Sequence, residues 1–181
     1  MALLKIRLLG DPILREKGRR LTPDQLKAVS IQRLIDDMIE TMRDAGGVGL
    51  AAQQVGHPLR LLVIEQGIVH EGADPLVLIN GEVVKCTGKR LVEEGCLSIP
   101  GYKGEIERCM RVVAKGLDRD GKDLRVRATE LLAQAVEHEI DHTNGILYID
   151  HLESPNHLMR LEPDEHAAEA VVEDGPEAIE A

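Results

Sequence analysis

The sequence predicts an α+β fold: antiparallel sheets packed around a central helix that reads H-E-x-x-H, with a long helix near the N-terminus. Three patterns carry this. Apolar residues recur at helical period over residues 23–44, short apolar or alternating stretches separated by turn residues fill 59–129, and a second helical pattern follows late, between Thr129 and a stop at Gly145. Strands first and the main helix late is an α+β layout. The 181 residues suffice for one domain with a real core.

Residues 3–9 are expected to form a short strand. Gly10-Asp11-Pro12 then turns, with Asp11 placed to cap a helical turn over residues 12–15. Thr22-Pro23-Asp24-Gln25 is a helix start, with Thr22 as N-cap, Pro23 at the first helical position and Gln25 closing a capping box. Leu26, Val29, Leu34, Ile35, Met38, Ile39 and Met42 continue the pattern to Gly46-Gly47, so residues 23–44 read as one amphipathic helix. Residues 47–56 are too rich in Gly and Ala for an ordinary strand; small residues there let another backbone or a ligand approach closely.

Strands are expected over 59–65, 75–80, 82–87, 89–93, 106–118 and 123–129, with a hairpin turn at Asp118-Arg119-Asp120-Gly121. Residues 147–152 read as a short strand or helical turn. From residue 153 the chain turns acidic and is broken by Pro155, Pro163 and Pro176. It reads as a catalytic domain over 1–152 and an acidic tail over 153–181, with a short helix over 164–173 and disorder at the end.

Composition excludes several classes. The formal net charge of −10 argues against a general nucleic-acid binder. Lys5 and Arg7 interrupt the apolar N-terminus, which is neither a signal peptide nor a membrane span. The three Cys residues form no paired framework and favour a reducing compartment, so the expected address is the cytoplasm.

Chemistry concentrates at His138-Glu139-Ile140-Asp141-His142. On a helix, His138 and His142 point to one side and can share a metal ion, and Glu139 can reach a water on that metal. Thr129 is expected as the N-cap. A catalytic metal usually takes three protein ligands, and Cys96, in Glu-Gly-Cys-Leu-Ser, is the best third. Cys86 and Cys109 read as buried small hydrophobes.

Gly47-Val-Gly-Leu-Ala-Ala-Gln-Gln54, Glu94-Gly-Cys-Leu-Ser98 and His138-Glu-Ile-Asp-His142 resemble, in order, the three signature motifs of the peptide deformylases. The Gly10-Asp-Pro-x-Leu-Arg opening and the Leu-Ile-Asn ending at Asn80 are also similar, so the resemblance spans about residues 5–152. It implies removal of the N-formyl group from the initiator methionine of new polypeptides. By the same resemblance Cys96, His138 and His142 are metal ligands, for Fe²⁺ typically and for Zn²⁺ or Ni²⁺ as occupants. Glu139 is the general acid/base in hydroxide attack at the metal. The Gln54 side chain and the Leu97 backbone N–H are oxyanion donors.

The Gly47–Gly49 backbone would pair with substrate as a strand, with Gly49 and Gly95 against it. Val48, Leu131 and Ala135 are expected around the methionine side chain. Glu94, Arg108 and Asp141 are expected to brace the ligands. The implied partner is a nascent formyl-methionyl chain. Some members contact the ribosome through a basic C-terminal helix, which the acidic tail here does not resemble. Glu137, Thr143 and Gly81 depart from the usual Gln, Leu and Pro. Two rival readings are a zinc endopeptidase whose third ligand is His151 or Glu162, and a silent metal- or peptide-binding module.

Overall fold

The structure, a computed structural model, describes residues 2–66 and 72–161. Residues 2–9 form no strand; they run extended and are tied by Arg7 N–H to the Gln54 carbonyl at 2.7 Å and Leu9 N–H to the Ser98 carbonyl at 2.8 Å. A 3-10 turn over Pro12–Arg15 follows, capped by the Asp11 side chain.

The helix expected over 23–44 is two helices, α1 (Pro23–Leu26) and α2 (Val29–Asp44). The capping box at Thr22 and Gln25 is present. The break has a geometric cause. At 100° per residue, Leu26 lies about 80° out of phase with Leu34, yet both are buried, whereas Val29 is 77% exposed. Ala28 takes an extended conformation that swings the first turn inward. The Gln32 amide donates to the Leu26 carbonyl freed by the break, at 2.8 Å.

Six strands make one antiparallel sheet: β1 (Gly49–Ala51), β2 (Leu61–Ile64), β3 (Leu76–Cys96), β4 (Ile99–Leu117), β5 (Asp123–Thr129) and β6 (Leu158–Arg160). The order is β1-β2-β3-β4-β5, with β6 on β4. The separate strands expected over 75–93 are one long strand. It is bent by irregularities at Ile79/Glu82 and Val83/Lys85, and a further one falls at Gly95/Cys96. Asn80, at φ 55°, forms part of the first bulge, and its side chain bonds both the N–H and the carbonyl of Leu21. Asn tolerates this left-handed conformation better than most side chains.

The sheet is buried on both faces where it matters most. Leu61 and Val63 of β2 pack under α2 with Ile35, Met38 and Met42. Their neighbours Leu62 and Ile64 pack beneath α3 (Glu130–Thr143) with Val136 and Ile140. That is why β2 reads as an unbroken apolar run. A third cluster joins Leu14, Val92, Ile106 and Tyr148.

Cys86 and Cys109 are not free. They form a disulfide between β3 and β4, leaving Cys96 as the free cysteine. A lone sequence cannot see this pairing, because the two residues are 23 apart and meet only when the hairpin closes.

The chain beyond residue 152 is also structured at first. Residues Pro155–His157 form a 3-10 turn and Leu158–Arg160 pair with Tyr102–Gly104 of β4. The helix and disorder expected further on fall on residues outside those described. No helix among the described residues is long and apolar enough to cross a membrane.

Candidate metal centre and active site

Helix α3 places His138 and His142 one turn apart with their rings edge to face, centroids 4.8 Å apart. Thr129 stands at its N-cap, but the side chain makes no capping bond, and Glu130 begins the helix at φ 51°. The last pairing of β3 with β4 swings Cys96 toward the helix. Cys96 Sγ lies 3.3 Å from His142 Nε2, which lies 3.2 Å from His138 Nε2. All three donor atoms fall within 4.8 Å of one another.

This cluster fits a divalent metal. Bonds of about 2.0–2.3 Å in a tetrahedral site put neighbouring donor atoms roughly 3.3–3.7 Å apart, close to the two separations seen. The electrostatics agree. Burial works against charge on His138, but Cys96 and Glu94 outweigh it and hold its pKa well above the ordinary histidine value. Positive charge is favoured at this point. His142, by contrast, is held neutral by burial and by its neighbour His138.

Glu94, Arg108 and Asp141 meet in one network beside the cluster. Glu94 Oε2 sits 2.7 Å from His138 Nδ1, which orients the ring and leaves Nε2 to face the cluster. Arg108 grips Glu94 with two bonds of 2.8 and 3.1 Å and donates to Asp141 at 2.7 Å. Burial penalises the Glu94 charge, yet His138 and Arg108 overcome it and lower its pKa to about 2. His151 meets Asp141 Oδ2 at 2.8 Å, so it extends this brace and is not a third ligand. Glu162, the other ligand of the endopeptidase reading, lies outside the described residues.

Glu139 is buried beside the ligands, and its Oε2 finds no partner among the described residues. Burial raises its pKa to about 7, only partly offset by the charge on His138. Gly49 makes room for it: a Cβ on Gly49 would lie 2.7 Å from Glu139 Cγ. Gln54 is anchored by Ala51 N–H donating to its Oε1 at 2.8 Å. This aims Nε2 at Cys96 Sγ, 3.5 Å, and Ser98 Oγ, 3.2 Å.

A cleft of about 730 Å³ opens over these groups. Val48, Gly49, Gly95, Leu97, Leu131 and Ala135 all line it. Two departures from the family pattern acquire contacts. Glu137 accepts from Cys109 N–H at 2.9 Å, and Thr143 Oγ1 donates to the Ile140 carbonyl at 2.8 Å. Ser98, Tyr148 and Leu161 join this centre without a role read from the sequence. Ser98 is the last residue of a recognised motif, but Tyr148, stacked near His138, and Leu161, lining the cleft, carry no local signal.

The family model described as polypeptide deformylase matches residues 3–157. A peptide deformylase of Dehalococcoides mccartyi (strain CBDB1) is 51% identical over 173 residues, 96% of this chain and 100% of the relative. A crystal structure of a peptide deformylase from Legionella pneumophila superposes with TM-score 0.78 at 44% identity, covering 86% of this chain and 88% of that one. One from Synechococcus elongatus, in complex with actinonin, gives TM-score 0.80 at 38% identity, covering 85% and 83%.

Proposed function

The chain belongs to the polypeptide deformylase family, metal-dependent hydrolases that remove the N-formyl group from the initiator methionine of nascent polypeptides, and from that premise we propose how its residues divide the work. Cys96, His138 and His142 hold one divalent metal, and Glu139 is the general acid and base. The observation that carries this is the convergence of three donor atoms within 4.8 Å beside a buried carboxyl whose pKa is about 7. When bound, the metal supplies Lewis-acid polarisation and makes water acidic enough to react near neutral pH.

The rest is done by the chain. Glu139, poised near neutrality, takes a proton from the attacking water and delivers it to the departing amine nitrogen. Gln54 Nε2, fixed by its bond to Ala51, and the Leu97 N–H donate to the oxygen on which negative charge develops. Among the described residues strand β1 is paired on one side only, by β2, and its other edge would take the substrate as an added strand. Val48, Leu131 and Ala135 receive the methionine side chain, and Gly49 and Gly95 keep the backbones close. Glu94, Arg108 and Asp141 keep His138 in register.

A thiolate with two imidazoles accommodates Fe²⁺, Zn²⁺ or Ni²⁺; Fe²⁺ is the working metal in this reading. The substrate is met in the cytoplasm as the nascent chain leaves the ribosome. A net charge of −10 makes any contact with ribosomal RNA brief.

Metal analysis of anaerobically purified protein, run with a formyl-Met-peptide assay, tests the reading. One metal per chain, predominantly iron, and turnover abolished by a chelator are expected. Turnover that survives complete metal removal would overturn it.

A further inference from the structure

Strand β6 borders the same cleft. Its residues Leu158, Met159 and Arg160 pair with Gly104, Lys103 and Tyr102 of β4. Leu161 N–H then donates to the Gly101 carbonyl at 2.9 Å. This bond holds Leu161 against the segment that follows Cys96, and Leu161 lines the cleft together with Gly101, Tyr102 and Lys103. Tyr102 and Leu161 are 40% and 43% exposed, so the cleft mouth carries an apolar ledge open to solvent.

The ledge shares its cavity with Gly49 of β1. Gly46–Gly49, Pro100–Lys103, His138 and Glu139 all line this one cavity with Leu161. A chain added to β1 and reacting beside Glu139 runs through this cavity. Extended chain advances about 3.3 Å per residue, so the residues beyond the methionine lie in the cavity that Leu161 lines.

We propose that Leu161, held in place by β6, is a specificity-determining residue that favours an apolar side chain at one of the two positions following the formyl-methionine. This rests on the deformylase reading above. Contact between two apolar side chains is rewarded by the water it releases, and a half-exposed leucine gives a modest share of that. A polar side chain at the same substrate position gains nothing there.

The test uses the full chain loaded with metal and two peptide pairs, formyl-Met-Leu-Ser against formyl-Met-Ser-Ser, and formyl-Met-Ser-Leu against formyl-Met-Ser-Ser. The full chain should favour leucine in at least one pair. Leu161→Ser should reduce that preference about three- to tenfold, with the loss in KM rather than kcat, and Leu161→Met should restore most of it. A chain ending after His157 should lose the preference at least as fully. Thermal melts and metal content run alongside separate a lost ledge from a lost fold. Preferences unchanged in Leu161→Ser at both positions would overturn the assignment of Leu161. Failure of the full chain to deformylate any of these peptides would instead overturn the deformylase reading itself.

Discussion

Gly49 and Glu139 show how closely the centre is fitted. The carboxyl fills the space a Cβ on Gly49 would need, 2.7 Å from Glu139 Cγ. Gly49→Ala should therefore push Glu139 off its position while leaving the three ligands in place. Turnover should fall at least about tenfold with metal content unchanged, since small misplacements of a reacting group are costly. Glu139→Ala should keep fold and metal and lose roughly 10²- to 10⁴-fold in kcat. Near-normal rates in that variant would move the proton transfer to another group. Cys96→Ala should lose metal and activity together. Cys86→Ala should keep both, because its sulfur serves the β3–β4 crosslink and not the centre. Metal occupancy measured on the two variants side by side separates ligand from crosslink.

At the scale of elements, the hairpin of β3 and β4 is joined to α3 by a buried ion network. Arg108 and Glu94 side chains are 4% and 2% exposed, and Asp141 closes the network on the helix. Arg108→Met should destabilise by about 3–5 kcal/mol, because it strands two carboxylates away from water. The pair Arg90–Glu130 joins the same strand and helix at the surface, with Glu130 66% exposed. Arg90→Met should cost less than about 1 kcal/mol. Urea unfolding of both variants makes the comparison, and equal midpoints would show that the buried network adds no more than the exposed pair.

For the whole molecule, the described residues reach Leu161, and β6 is part of the sheet. A chain ending just after Leu161 should fold, bind metal and deformylate small peptides at close to the full rate, since every group of the centre is retained. Residues 162–181 contain no Lys or Arg and several acidic residues. Their removal should strengthen co-sedimentation with ribosomes at low salt, because like charge on RNA and tail repels. Weaker co-sedimentation on truncation would make the tail a docking element despite its charge.

The sequence by itself singled out the residues that cluster at the candidate centre. His138, Glu139 and His142 are one helical turn, so local geometry alone puts them together. The motifs around Gln54 and Cys96 resemble a known family closely enough to assign the remainder, and most strands were visible as apolar runs. Only the tertiary structure decided what depends on residues distant in sequence. The break between α1 and α2 follows from which faces the sheet buries, not from helix propensity. The Cys86–Cys109 bond needed the hairpin register. The link from His151 through Asp141 to Arg108, and the place of Leu161 at the cleft, needed a late segment to fold back on β4. Such contacts leave no periodicity in the chain, because their spacing is set by the path of the backbone and not by any local repeat.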